Sequence, residues 1–252
     1  MKQLIPTAPS TNTLLQQMIA DGTLDPNDPK NNLFTLYTYR QTAGRGQQGN
    51  SWESQPNKNL TFSTLFQLNK ISIQQQFLLS QLVPVAICNT LRQQLISTPI
   101  PPDTIKIKWP NDIYWNDRKL SGILIEHSII DNQIHHSIAG VGININQTQF
   151  LSDAPNPVSL KQITGNTYNL EQLLDNILQQ FNTLIPLLQQ PEQLKQLYMD
   201  NLYRAQGYFT YRTADQIFEA RIIDIADNGL ITLQQHNGIT RQFAFKQLTY
   251  II

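Results

Sequence analysis

The sequence predicts an α+β fold carrying a small β-barrel at its C-terminal end, and three features lead to that reading. A glycine-rich segment, GRGQQGNSWES, sits between two strand-like runs, LFTLYTYR (33–40) and LTFSTLFQ (60–67), so a strand leads through a loop into another strand. Residues 105–146 alternate apolar and polar positions between tight turns, as an antiparallel meander does. From Gly207 onward the texture changes to short strands separated by Thr213-Ala214-Asp215, Asp227-Asn228-Gly229 and Asn237-Gly238, the pattern of a compact hairpin barrel. The division expected is 1–205 for the larger unit and 206–252 for the barrel.

Each element has a local cause. Ser10 or Thr11 is a good N-cap for a helix whose Leu14, Leu15, Met18 and Ile19 recur at helical spacing until Asp21-Gly22. Residues 74–97 are apolar and helical in pattern, with an interruption expected at Pro84. In IKIKW (105–109), Ile105, Ile107 and Trp109 share one face while Lys106 and Lys108 share the other. Pro110 and Asn116-Asp117 mark turns, which makes IYW (113–115) and KLSGILIEH (119–127) hairpin arms, followed by a strand in 134–146. Leu170, Leu173, Leu174, Ile177, Leu178, Phe181, Leu184, Ile185 and Leu188 form the apolar stripe of a packing helix, and a shorter helix is expected over 191–203.

Composition narrows the function. The chain has 252 residues, 40% of them hydrophobic, enough for a core without collagen-like or disordered bias. Lys plus Arg equals Asp plus Glu at 18 each, so overall charge attracts neither nucleic acid nor an anionic membrane, and any anion must be held by locally placed cations. The 31 Gln and 22 Asn replace much of the usual ionic surface. A single cysteine, Cys88, rules out a disulfide framework and a multi-cysteine zinc site, and it falls in an apolar helix where a core role is expected. No segment has the length of a signal peptide's apolar region or of a membrane span, which points to the cytoplasm and to no membrane partner. His135 and His136, adjacent on a strand, point to opposite faces and make a poor metal pair.

Gly44-Arg45-Gly46-Gln47-Gln48-Gly49 satisfies G-x-G-x-x-G, yet a strand follows it rather than a helix, and no acidic residue lies about twenty positions on. Dinucleotide binding is therefore rejected, and the missing Lys-Ser/Thr excludes a P-loop. Four other segments accompany the loop: Ser10-Thr11-Asn12, Lys108-Trp109-Pro110-Asn111-Asp112, Lys119-Leu120-Ser121-Gly122-Ile123-Leu124 and Gly140-Val141-Gly142-Ile143-Asn144. In this order and spacing, together with QTAGRGQQGNSW (41–52), the chain resembles the biotin protein ligases.

The resemblance implies a mixed-sheet catalytic domain of the class II synthetase type with an SH3-like C-terminal barrel. It also implies a reaction: biotin and ATP give biotinyl-5'-adenylate and pyrophosphate, and a lysine of a biotin carboxyl carrier protein then takes the biotinyl group. Biotin and ATP enter as substrates, with Mg²⁺. By the same resemblance Arg45 and Lys119 are catalytic and contact the biotin and phosphate groups. Ser10, Thr11, Asn12, Gln41, Gly44, Gly46, Gln47, Gly122, Gly140 and Gly142 surround biotin. Asn144 matches an adenine-contacting asparagine, Lys108 and Asn111 contact the nucleotide or support the residues that do, Asp112 helps to position Mg²⁺, and Trp52 and Trp109 line the site or the core. Some relatives carry an N-terminal DNA-binding domain; only nine residues precede Ser10, so that domain and a nucleic-acid partner are expected to be absent. A homodimer is compatible with the family. The alternatives are a lipoate or octanoate ligase or transferase on the same fold, and a biotin- or nucleotide-binding module without turnover, against which the presence of both Arg45 and Lys119 argues.

Those two cations suit the chemistry. Activating a carboxylic acid on ATP brings a carboxylate against the α-phosphate, and two unit anions at ~4 Å repel by about 4 kcal/mol at an effective dielectric near 20. That is roughly a thousandfold in rate if it falls wholly on the barrier. A forked arginine and a compact lysine are the side chains that offset it.

One position departs from the pattern. Many bacterial relatives read G-R-G-R, whereas Gln47 stands at the second arginine here. A neutral amide forms hydrogen bonds about half as strong as a charged donor's. A deficit of about 1 to 2 kcal/mol would speed escape of an acyl-adenylate roughly five- to thirtyfold. Gln47→Arg is expected to lengthen the residence time of biotinyl-adenylate without abolishing transfer; equal or faster release from the variant in a dissociation assay would refute this.

Overall fold

A computed structural model describes residues 1–152 and 156–252, apart from the side chains of Gln48, Asn69 and Lys70. Seven strands build one large sheet: β1 (Lys2–Leu4), β2 (Thr35–Thr38), β3 (Leu60–Ser72), β4 (Ile105–Lys108), β5 (Asp112–Trp115), β6 (Arg118–Ile130) and β7 (Gln133–Ile143). Their spatial order is β1-β2-β3-β7-β6-β5-β4. β1 pairs with β2 in parallel and every other pairing is antiparallel, so the sheet is mixed. The expected meander is the run β4-β5-β6-β7, and the glycine-rich loop joins β2 to its antiparallel neighbour β3.

Among the described residues five α-helices accompany it: α1 (Thr11–Ala20), α2 (Leu78–Gln93), α3 (Leu160–Thr164), α4 (Leu170–Leu184) and α5 (Pro191–Asp200). α1 starts where its cap was read, with Ser10 Oγ accepting from Thr13 N. It packs on one face of the sheet, where Leu15 meets Phe34, Leu36, Leu65 and Ile138. α2 and α4 belong to the main core, in which Phe181 of α4 meets Phe66 of β3 edge-on with ring centroids 5.2 Å apart. The leucine stripe of α4 is packing surface: Leu173, Leu174, Ile177, Phe181 and Leu184 are all buried. Cys88 is fully buried in α2, and burial pushes its thiol up to about 11, which makes it an inert core residue.

Three expectations need correction. Pro84 does not interrupt the helix, since α2 runs through it; Leu82, Val83, Val85, Ala86 and Ile87 on either side are buried, and their packing outweighs the lost backbone bond. The helical stripe at 170–188 ends its α-helix at Leu184 and continues as a 3₁₀ turn over Ile185–Gln189, with Pro186 in its first turn. No element is expected from the sequence before Ser10, where the structure has the edge strand β1 held to β2.

The C-terminal part forms a second, antiparallel sheet of β8 (Phe209–Arg212), β9 (Ile217–Ile225), β10 (Ile231–Gln235), β11 (Thr240–Phe243) and β12 (Thr249–Tyr250), in the order β11-β10-β9-β8-β12. Its inner residues Tyr211, Ile225, Ile231 and Tyr250 join the same apolar cluster as the core of the large sheet. Truncating Phe181, which is fully buried, removes an aromatic group from the centre of that cluster. Phe181→Ala is expected to cost about 3–5 kcal/mol in urea denaturation with an unchanged denaturant slope; a loss under about 1 kcal/mol would show that the α4 contact is not central.

Candidate active site

The face of the sheet that carries α1 is bare in the middle. Gly122 of β6 pairs with Gly142 of β7, and Leu124 pairs with Gly140, so Gly122, Leu124, Gly140 and Gly142 share that face. The glycines allow close approach: a Cβ on Gly140 would collide with the Asn12 amide, and one on Gly142 with the Trp52 indole. Above this floor lies a cavity of about 500 Å³, a usual size for a small-molecule site. The N-terminus of α1, the glycine-rich loop, the β4–β5 turn and the 245–250 segment of the second sheet wall it.

Of the residues singled out in the sequence, Ser10, Thr11, Asn12, Gln41, Arg45, Gly46, Gln47, Lys108, Asn111, Asp112, Lys119, Gly122, Gly140 and Gly142 line this one cavity, with Trp52 and Trp109. Two do not. Gly44 lies behind the wall, where a Cβ would meet Trp52 O at 2.6 Å and Gln41 Nε2 at 2.7 Å. Asn144 is 3% exposed and lies outside the lining; its Nδ2 donates to Val158 O at 3.2 Å and fastens the chain leading into α3, while its Oδ1 is buried without a partner among the described residues.

Polar groups around α1 are already paired. Thr11 N donates to Gln41 Oε1 at 3.0 Å, and Ser63 Oγ of β3 donates to Asn12 Oδ1 at 2.5 Å and lies 2.7 Å from Thr11 Oγ1. The Trp52 Nε1–H, packed against Gly142, is buried without a partner among the described residues. A β-bulge places Lys119. Ile113 pairs with Ser121 but Tyr114 pairs with Lys119, so Leu120 is the extra residue. Strict alternation would put Lys119, three positions from Gly122, on the opposite face; the bulge turns it back toward the cavity. There its Nζ donates to Asp112 Oδ2 at 2.6 Å.

Four cations, Arg45, Lys108, Lys119 and Lys246, line the cavity against one carboxylate, Asp112, among the described residues. A chain of zero net charge thus concentrates positive potential where an anion would bind. Lys108 sits over the rings of Tyr114 and Tyr250, 4.5 and 5.1 Å from their centroids, and its Nζ donates to Tyr114 Oη at 3.1 Å. Burial brings it down from 10.5 to about 8. No group of three or more His, Cys, Asp or Glu that could hold a metal occurs among the described residues. The lone cavity carboxylate suits a Mg²⁺ that arrives on polyphosphate, since such ions take one or two protein carboxylates and complete their shell with phosphate and water.

Sequence reasoning missed Ser63, Glu126 and the segment 245–250. Phe245, Lys246, Leu248, Thr249 and Tyr250 close one end of the cavity, and no local pattern announces a contact made across more than a hundred residues.

Lys108 yields a pH dependence. Because its folded value is lowered, the unfolded chain binds more protons between about 8 and 10.5, so its contribution to stability improves as pH rises through that window. Over the same rise the cavity loses a positive charge. Pyrophosphate affinity is expected to fall roughly three- to tenfold between about pH 7 and 9, and Lys108→Met should flatten that fall; an identical pH profile in the variant would refute the assignment.

A model of the family described as "Biotin/lipoate A/B protein ligase family" matches residues 4–144. The bifunctional ligase/repressor BirA of Bacillus subtilis (strain 168) is 27% identical over 212 residues, covering 81% of this chain and 62% of that protein. That of Escherichia coli (strain K12) is 32% identical over 142 residues, covering 56% of this chain and 40% of its own. The chain therefore spans less than two thirds of the length of these curated relatives. The biotin protein ligase of Aquifex aeolicus, solved in complex with biotin and ATP, superposes with a TM-score of 0.74 at 20% identity over 98% of this chain and 97% of that one, a likeness of fold. No helix among the described residues is long and apolar enough to cross a membrane. The family match covers more than half of the sequence, and the chain belongs to the biotin/lipoate A/B protein ligase family.

Proposed function

We propose that this chain is an ATP-dependent biotin protein ligase, with a catalytic unit over 1–205 capped by the C-terminal barrel of 206–252. The observation that carries the reading is the pair of cations, Arg45 and Lys119, on one glycine-floored cavity. A carboxylate oxygen of biotin attacks the α-phosphorus of ATP as the bond to the pyrophosphate oxygen breaks. The ε-amine of a carrier-protein lysine then attacks the acyl carbon of the resulting anhydride and AMP leaves.

In the first step Arg45 and Lys119 offset the repulsion between the two anions and stabilise the charge gathering at phosphorus. Asp112 orients Lys119 through the 2.6 Å ion pair and is the carboxylate available to Mg²⁺ carried by the nucleotide. The glycines let the Asn12 amide and the Trp52 indole lie close on the sheet, so the cavity above them pairs an aromatic wall with polar groups, which favours the compact polar bicycle of biotin over the flexible apolar chain of lipoate or octanoate. The Aquifex aeolicus ligase of the same fold, solved in complex with biotin and ATP, supports this choice. A biotin carboxyl carrier protein is the proposed acceptor, and the cytoplasm the proposed setting.

ATP–pyrophosphate exchange with biotin, lipoate and octanoate supplied separately tests the reading. Exchange is expected with biotin, and Lys119→Ala or Arg45→Ala should lower it by about two to four orders of magnitude. Exchange with lipoate alone would overturn the substrate; full activity in Lys119→Ala would overturn the mechanism.

A further inference from the structure

Glu126 belongs to none of the motifs that located the site, yet it continues the face of β6 that carries Gly122 and Leu124. Its Oε2 accepts from Asn12 Nδ2 at 2.7 Å and from Arg45 Nη2 at 3.1 Å, and its Oε1 accepts from the same Nη2 at 3.3 Å. Asn12 is itself braced, because its Oδ1 is held by Ser63 Oγ. A chain of hydrogen bonds thus runs from β3 through Asn12 to Glu126 and ends on the guanidinium. Glu126 does not line the cavity, whereas Arg45 does.

Arg45 needs such a brace. It sits in a loop with a side chain 44% exposed, and a free arginine side chain carries about 2 kcal/mol of rotamer entropy. Glu126 engages only Nη2; among the described residues Nε and Nη1 make no hydrogen bond, so one edge of the fork remains open toward the cavity. We propose that Glu126 is the positioning residue for Arg45: it fixes one end of the guanidinium so that the other is presented to the reacting carboxylate and phosphate. This rests on the biotin-activation reading above. A carboxylate that merely sequestered Arg45 would instead compete with the substrate, and its removal would strengthen binding.

Glu126→Gln keeps an acceptor for Asn12 while removing the charge that holds Arg45, and Glu126→Asp keeps the charge. ATP–pyrophosphate exchange is measured for the wild type, Glu126→Gln, Arg45→Ala and the double variant, together with Tm. Glu126→Gln is expected to lower kcat about ten- to a hundredfold while KM for ATP changes less than about threefold. In the Arg45→Ala background the same change should cost less than about twofold, because its effect passes through the arginine. Tm should stay within about 2 °C, and Glu126→Asp should recover part of the rate. If Glu126→Gln fails to fold, the cycle is run with Glu126→Asp, whose smaller loss must likewise vanish without Arg45. Unchanged or tighter substrate use in Glu126→Gln, or losses that multiply in the double variant, would overturn the positioning role alone. A folded wild type without biotin-dependent exchange would overturn both this and the proposed function.

Discussion

The structure depends on a stretch of β-sheet left without side chains. Between β6 and β7, Gly122, Gly140 and Gly142 expose backbone on the face that carries α1, and both the Trp52 indole and the Asn12 amide descend into space a single methyl would occupy. Because Asn12 can sit over Gly140, its amide reaches Ser63 on one side and Glu126 on the other. The position of α1, the anchoring of Arg45 and the depth of the cavity all follow from that approach. The opposite face has no such freedom, since it is filled by α2 and α4.

On that floor the charges are arranged in pairs. Lys119 is held by Asp112 and Arg45 by Glu126, each through an ion pair whose partners are only partly exposed. Isolated surface pairs contribute little to stability, so their value here is orientation. A lysine and an arginine carry long, mobile side chains, and an anion that had to gather both from solvent would bear their ordering entropy in every turnover. The carboxylates take that cost at folding. Two anchored cations do not exhaust the local charge, because Lys108 and Lys246 add to it.

The sequence showed the parts of the site that are written locally. Ser10 is a cap in the structure as in the reading, the loop of Arg45 joins two strands, and the glycines of 140 and 142 alternate along β7 as a strand pattern requires. What it hid depends on register or on distance along the chain. Alternation alone misplaces Lys119 relative to Gly122, because nothing in KLSG announces that Leu120 is a bulge. Pro84 reads as a breaker unless one knows that its neighbours are buried on all sides. Asn144 matches a nucleotide-contacting position by motif, but nothing local shows that its Nδ2 is taken by Val158, and Glu126 meets Arg45 only when β6 brings it beneath a loop more than eighty positions earlier in the chain.

The second sheet completes the argument, because it is part of the cavity as well as of the core. Trp109 Nε1 donates to Gly229 O at 3.0 Å while its ring meets Phe245 edge-on at 6.1 Å. Arg204 Nη2 donates to Ile251 O at 2.9 Å. These contacts tie the β4–β5 turn, which carries Asn111 and Asp112, to the segment that presents Lys246 and Tyr250. Tyr250 in turn forms one wall of the pocket that lowers Lys108. A shift of the second sheet would therefore loosen the lysine's aromatic surroundings, readmit water and raise its proton affinity. The end of the cavity that holds Lys108 is thus set jointly by two sheets, and its charge depends on how closely they are held together.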